Sequence, residues 1–123
     1  MKKIFLAVSM ISLIFGTIYA ERTVGSCSAA ISRAIGAGDC DTWGNCWGQI
    51  ARKVGASPNC DSVGCTTCAV ARKLASKELE GYAEMTVGNC AAALARHYGG
   101  NTGGVGTSVC SISDYAEKKK KLD

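Results

Sequence analysis

The stretch that decides the fold is residues 42–55, TWGNCWGQIARKVG. Its apolar residues recur at positions 43, 46, 47, 50, 51 and 54, which is the spacing of one face of an α-helix. Asp41 or Thr42 is suited to cap the start of this helix, and Gly55 follows its end. Residues 42–55 therefore predict an amphipathic helix that carries Cys46 on its apolar face.

Apolar spacing predicts three further helices along the chain. They cover residues 27–35, residues 63–82, and a segment that starts at Asn89 as its cap and stops at Gly99. Residues 99–106 contain five glycines and are expected to form a loop, after which Ser111 or Ser113 caps a last helical turn. No period-2 alternation, internal repeat or second domain is evident. The expected fold is therefore a mainly α, small, disulfide-stapled helical domain.

Residues 1–20 are predicted to be a secretory signal peptide. Lys2 and Lys3 precede an apolar run at 4–15, and Ala20 ends a small-residue exit. All eight cysteines follow this segment, so we expect a secreted protein in which they form four disulfides between different helices, in a pairing that the sequence leaves open. The eight are Cys27, Cys40, Cys46, Cys60, Cys65, Cys68, Cys90 and Cys110.

Charge argues against a nucleic-acid-binding protein. Without Lys2 and Lys3, the 14 lysines and arginines fall to 12, against 10 acidic side chains. Four of the 12 form the run Lys118–Lys121. Residues 21–113 are therefore expected to be the folded domain, and residues 114–123 a solvated, lysine-rich tail. Truncation of this tail is expected to leave stability unchanged. The apolar run at 4–15 is too short to span a bilayer, and no stable membrane insertion is expected.

Two motifs have both a functional and a structural interpretation. Cys65 and Cys68 have the spacing of a redox pair, but the βαβ setting of such a pair is missing, and separate structural bridges are favoured. Trp43 and Trp47 lie one helical turn apart and either stack on sugar rings or, as the spacing favours, pack in the core. With a single histidine in the chain, no metal site and no cofactor are expected.

His97 is that histidine, and it belongs to a longer motif. Residues 90–100, CAAALARHYGG, resemble the signature of the invertebrate-type (i-type) lysozymes, or destabilases, which is a cysteine followed by Ala-Arg-x-His-Asn-Gly-Gly. Residues 46–50, CWGQI, are similar to that family's Cys-Gly-aromatic-aromatic-Gln-Ile and are one residue shorter. The resemblance covers residues 41–104 and implies a lysozyme-like α+β fold, a peptidoglycan ligand, and a ligand-binding role for Gln49, His97, Gly99 and Gly100.

The acids that such an enzyme needs depart from the family pattern. The resemblance implies a glutamic acid in the N-terminal third that protonates the leaving oxygen, together with a second carboxylate. No glutamate lies between Cys27 and Cys60, and Asp39 and Asp41 are the only acidic residues in this stretch, so they are the only candidate catalytic acids. We therefore expect a secreted antibacterial protein of innate defence that binds cell-wall glycan with weak or absent hydrolysis. The alternative is a cysteine-stabilised helical toxin or antimicrobial effector that acts on membranes or on a protein target.

Overall fold

Six helices make up the fold of this chain, for which the computed structural model describes residues 22–58 and 62–122. The mainly α prediction is confirmed, and these residues contain no strand. The predicted signal peptide and Cys60 lie outside the described residues. The helices are α1 (Val24–Ala34), α2 (Trp43–Val54), α3 (Val63–Leu74), α4 (Ser76–Leu79), α5 (Val87–His97) and α6 (Val105–Lys119).

The five longer helices form a closed ring. In ring order α1 contacts α2, α2 contacts α3, α3 contacts α5, α5 contacts α6, and α6 returns to α1. The short α4 continues from α3 and also packs on α5. Within the described residues no helix packs across the ring, so the middle is filled by side chains alone.

Neighbouring helices in this ring run in the same direction. Between α1 and α2, Trp47 Nε1 donates to Ser28 Oγ at 3.0 Å near the helix starts. Near their ends, a Cβ placed on Gly36 would lie 3.8 Å from Lys53 Nζ. Parallel helices of 11 or 12 residues need returns that span roughly 17 Å, and the segments of seven or eight residues between them reach that far when extended.

The other side of the ring has the same polarity. The disulfide Cys27–Cys110 joins the early turns of α1 and α6, and Arg33 and Lys120 line one cavity at the ends of the same two helices. The disulfide Cys68–Cys90 similarly joins the early turns of α3 and α5. At the far end of this pair, Glu78 of α4 lies 3.2 Å from the imidazole at the end of α5.

The ring is built from a repeat that the sequence analysis missed. Each long helix is preceded by a capping position, followed by Val or Trp and then by glycine. The capping positions, 18 to 24 residues apart, are Thr23, Thr42, Ser62, Thr86 and Gly104. In the first four, the side chain accepts a hydrogen bond from the backbone N–H of the third helical residue. Because few positions are shared and the interval varies, inspection of the sequence for long similar segments does not detect the repeat.

The same register places one large apolar side chain of each helix in the core. The eighth residue after each cap is fully buried, and these five residues are Ile31, Ile50, Val70, Leu94 and Ile112. The fourth and fifth residues after each cap are also buried. Trp47, which is 0 % exposed, takes the fifth position in α2, so its predicted core interpretation is confirmed and its sugar-stacking interpretation is wrong.

The disulfides confirm most of the predicted framework. Cys27–Cys110 and Cys68–Cys90 join different helices, Cys65 is also disulfide-bonded, and no described cysteine is free. Cys40–Cys46 departs from the prediction, because it ties the segment before α2 to the first turn of the same helix. This bridge therefore fixes a loop and joins no pair of helices.

Several predicted boundaries are wrong. The helix expected over residues 63–82 is interrupted at Ala75, where φ is −137°. Thr86, and not Asn89, caps α5, and Asn89 supplies the N–H that Thr86 accepts. The segment after the glycine-rich loop is a helix of 15 residues, not a single turn. Its start combines glycine with Val, Thr and Ser, which are weak helix formers, so packing against α1 and α5 stabilises it.

Residues beyond Asp114 are part of the packed domain. Helix α6 continues to Lys119, Ala116 is fully buried, and Leu122 is only 3 % exposed. Tyr115 stacks on Tyr98, whose hydroxyl donates to the Leu122 carbonyl oxygen. The lysines are exposed as expected, but the segment that carries them is anchored.

Truncation after Asp114 is therefore expected to lower the free energy of unfolding by about 3 kcal/mol or more, because it exposes apolar surface on α5 and removes the tyrosine stacking. Chemical denaturation measures the loss. In the full chain, replacing the four lysines 118–121 by glutamine changes stability by less than about 0.5 kcal/mol. Equal stability of the truncated and full-length chains would show that this end does not support the ring.

Candidate functional site

An open groove of about 750 Å³ runs along the outer face of α2. Its lining residues on α2 follow helical spacing, as do the core residues on the opposite face of the same helix. Loop residues before and after α2, and Thr66 of α3, complete the walls. The lining residues on α2 are Gly44, Asn45, Gly48, Gln49 and Arg52, and Asp41 lies just before the helix.

One end of the groove is acidic and is held by a disulfide. Asp39 and Asp41 flank Cys40, whose bridge to Cys46 fixes this loop on the first turn of α2. Asn45 Nδ2 donates to Asp41 Oδ1 at 3.1 Å. Both carboxylates are exposed. The structure thus brings together the two predicted acids, as neighbours in a loop open to solvent.

The middle of the groove is polar, and its far end is basic. Ser32 Oγ lies 2.7 Å from the Gly38 carbonyl oxygen and 3.2 Å from Gln49 Oε1, and these two acceptors share its single proton. Arg52 lies in the last turn of α2, roughly 16 Å along the helix from the acidic loop. The groove therefore presents carboxylates, an amide and a guanidinium in sequence along one helix face.

The floor of the groove is low because of glycine. A Cβ placed on Gly44 would meet nothing within 4 Å, and one on Gly48 would approach only the Arg52 side chain, at 3.8 Å. Neither glycine has a positive φ. A glycine inside a helix costs about 1 kcal/mol relative to alanine, and at Gly48 no packing contact requires it. What this glycine provides is open space.

The arrangement of the acids does not support proton donation. A glycosidase needs a carboxyl group kept protonated by apolar surroundings and a second carboxylate across the scissile bond. Asp39 and Asp41 are both exposed on the same loop. The groove can hold hydroxyl, amine and carboxylate groups of a ligand through hydrogen bonds and ion pairs.

The remaining predicted site residues lie away from the groove. Trp43 is half-buried and packs against the core, and its Nε1 has no hydrogen-bond partner among the described residues. Gly99 has φ +76° and follows the end of α5, where glycine relieves backbone strain. A Cβ on Gly100 would lie 2.5 Å from Ser111 Cβ, so this glycine permits close packing on α6.

His97 belongs to a small surface cluster at the end of α5. Its Nδ1 lies 3.2 Å from Glu78 Oε1, and its ring meets Tyr98 edge-on at 4.8 Å. The pKa of Glu78 is lowered from its ordinary value, chiefly by the hydrogen bond to its own backbone N–H and less by His97. The histidine is therefore paired with a carboxylate of α4 and is not a lining residue of the groove.

Sequence reasoning missed Asn45, Gly48 and Arg52. Their signal was present, because these residues and Gln49 share the face of α2 opposite its apolar stripe. From this face the sequence analysis selected only Gln49, because of its place in the CWGQI motif. Comparison of this chain with protein-family models, with curated proteins and with solved structures gives no match.

The structural role of Gly100 gives a direct test. Replacing Gly100 by alanine is expected to lower the free energy of unfolding by about 1–3 kcal/mol, since the new methyl group overlaps the Ser111 side chain. The matched control is Gly103→Ala, whose Cβ would make only ordinary contacts at 3.8 Å or more with Thr107. Thermal unfolding compares the two. A larger loss for Gly103→Ala would contradict the packing argument.

Proposed function

We propose that this chain is a secreted protein of antibacterial defence that binds the glycan of bacterial cell walls in the groove on α2, without hydrolysing it. The observation that carries the proposal is the line of polar side chains over a glycine floor, from Asp41 to Arg52. A site of this kind suits a ligand that is long, polar and rich in hydroxyl groups. The groove is open along its length, as an extended polymer requires.

The chemistry of the lining residues fits the substituents of a wall glycan. Ionised carboxylates accept hydrogen bonds from sugar hydroxyls and attract the amino groups of wall peptides. The Arg52 guanidinium can bind a lactyl or peptide carboxylate with two parallel hydrogen bonds. Gln49 both donates and accepts, which suits an N-acetyl group. The charges of the groove thus suit a ligand with both signs of charge.

The resemblance to the i-type lysozymes supports the choice of ligand. Of the residues that carry this resemblance, Gly48 and Gln49 line the groove. The exposure of Asp39 and Asp41 supports binding without turnover, since neither lies in the apolar surroundings that a proton donor needs. The weak or absent hydrolysis expected from the sequence is therefore retained as part of the proposal.

The test is sedimentation of the oxidised protein with purified Gram-positive cell walls, together with a reducing-sugar assay for hydrolysis. We expect wall binding without release of reducing ends. The double substitution Asp39→Asn with Asp41→Asn is expected to weaken binding about tenfold, because it removes charge-assisted hydrogen bonds. Gly48→Gln fills the floor of the groove without changing charge, and it is expected to weaken binding while the unfolding free energy stays equal or rises.

The matched control is Glu80→Gln, which removes one exposed carboxylate outside the groove. It should leave wall binding unchanged. Wall binding that is insensitive to Gly48→Gln would exclude the groove as the site. Robust release of reducing ends that the double aspartate variant abolishes would contradict the non-catalytic part of the proposal.

A further inference from the structure

The basic residues of this chain are concentrated at the helix ends. Every helix has lysine or arginine in its last turn, and further lysines follow α6. These residues are all exposed, and we call them the basic rim: Arg33, Arg52, Lys53, Arg72, Lys73, Lys77, Arg96 and Lys118–Lys121. Beyond residue 20, the only lysine or arginine outside the rim is Arg22, which pairs with Asp114 at 2.7 Å.

Contacts between helix ends place these residues at one end of the ring. Lys53 of α2 lies beside Gly36, just past the end of α1. Arg33 of α1 and Lys120 after α6 line the same 300 Å³ cavity. Because neighbouring helices are parallel, the last turns of α2, α1 and α6 lie next to one another at this end.

The other helix ends continue the same series. Tyr98, at the end of α5, packs on Tyr115 and bonds to Leu122 beyond α6. On the other side of α5, the Arg96 guanidinium lies 5.3 Å from the centre of the Tyr82 ring, just past α4. The basic rim is therefore a continuous surface that follows the ring, and the lysines 118–121 are one part of it.

The rim is strongly positive although the whole chain is not. It carries eleven lysines and arginines, against three glutamates at the same helix ends, Glu78, Glu80 and Glu117. Glu78 is paired with His97, and no described residue forms an ion pair with a rim base. The net charge of the chain is modest, but the charges are unevenly distributed. The helix ends are positive, and the acidic residues Asp39 and Asp41 lie near the helix starts.

Helix dipoles explain only part of this pattern. A cation in the last turn stabilises a helix, and the effect falls off within that turn. Lys120 and Lys121 lie beyond the end of α6, and α2, α3 and α6 each have two bases in the last turn. Gathering eleven unpaired charges at one end also costs mutual repulsion, which an anionic partner relieves.

We propose that the basic rim docks this protein on anionic lipid membranes. A series of long, exposed cationic side chains at one end of the ring matches a plane of lipid phosphates. Binding of single-stranded nucleic acid favours exposed aromatic side chains on which bases stack, whereas the three tyrosines at this end are half-buried and lie against Arg96 or each other. The rim therefore suits a membrane surface better than a nucleic acid.

Docking at the rim is superficial. No described helix is long and apolar enough to cross a membrane. The only large apolar side chain that is exposed among the described residues is Met85, which precedes the cap of α5 at the opposite end of the ring. Adsorption through the rim consequently turns the helix starts, with Asp39 and Asp41, away from the lipid.

The test is sedimentation of the oxidised, secreted protein with vesicles of phosphatidylcholine alone or with about 30 % phosphatidylglycerol. We expect binding to the anionic vesicles only, a decrease of more than about tenfold between low and physiological salt, and no release of an entrapped dye. Equal binding to neutral vesicles, or dye release, would overturn the proposal.

Three variants locate the surface. Replacing Lys118, Lys119 and Lys121 by glutamine is expected to weaken vesicle binding more than about tenfold, and so is replacing Arg33, Lys53 and Lys73 on other helices. The matched control for net charge adds Asp39→Asn, Asp41→Asn and Glu84→Gln to the first variant, and binding should remain weak. Circular dichroism verifies that each variant is folded.

The pattern of results decides between explanations. Loss of binding in the first variant alone would show a basic tail and not a rim, and recovery in the charge-matched control would show an effect of net charge; either result overturns the proposal. Tighter binding to duplex DNA than to anionic vesicles at the same salt would assign the surface to a nucleic acid. Wall-glycan binding is measured separately, so its failure and the failure of vesicle docking are distinguishable.

Discussion

The packing of α1 against α6 is the contact on which the rest of the structure depends. These helices come from opposite ends of the described chain, and the ring closes only where they meet. Cys27–Cys110 and the Arg22–Asp114 ion pair lie at this junction. The disulfide spans 83 residues, and a cross-link over so long a loop removes much of the conformational freedom of the unfolded chain. A domain of this size has a modest core, so closure by a covalent bond compensates for the small area that the core buries.

Parallel helices have consequences for the surface. Each return segment must run the length of a helix, so loops lie along the outside of the ring. The return before α2, fixed by Cys40–Cys46, builds the acidic end of the groove. Because every helix points the same way, a base in each last turn adds to one shared surface. An antiparallel bundle with the same helices would distribute these charges over both ends. The groove and the basic rim thus follow from one topological property.

Local signals in the sequence predict much of this fold, but they do not predict features that depend on contacts between residues distant in sequence. The helix at 43–54 is confirmed because its apolar spacing and its Thr42 and Gly55 boundaries are all local. Helix α6 was underestimated, since its stability comes from α1 and α5, which are distant in sequence. For the site, Asp39, Asp41 and Gln49 were predicted and line the groove, whereas Trp47 and Gly100 serve packing and His97 pairs with Glu78. Residue type does not distinguish a ligand-binding tryptophan or glycine from a packed one; only the residue of the neighbouring helix that packs against it does. The similarity to i-type lysozymes stays a prediction.

The geometry of a single helix face limits what the groove can do. Gln49 and Arg52 share one face of α2 and point in the same direction, and the loop that carries Asp41 is fixed on the first turn of the same helix, so a ligand in the groove would meet all three from one side. Glycoside hydrolysis requires carboxyl groups on both sides of the scissile bond, separated by roughly 5 Å or by 6.5–9.5 Å. A second carboxylate would have to come from the opposite wall, where the structure places Thr66 of α3 and Pro58. Neither side chain carries an acid. A groove whose polar groups lie on one side lacks the second carboxylate that cleavage requires, and this is the physical reason why we propose binding without cleavage.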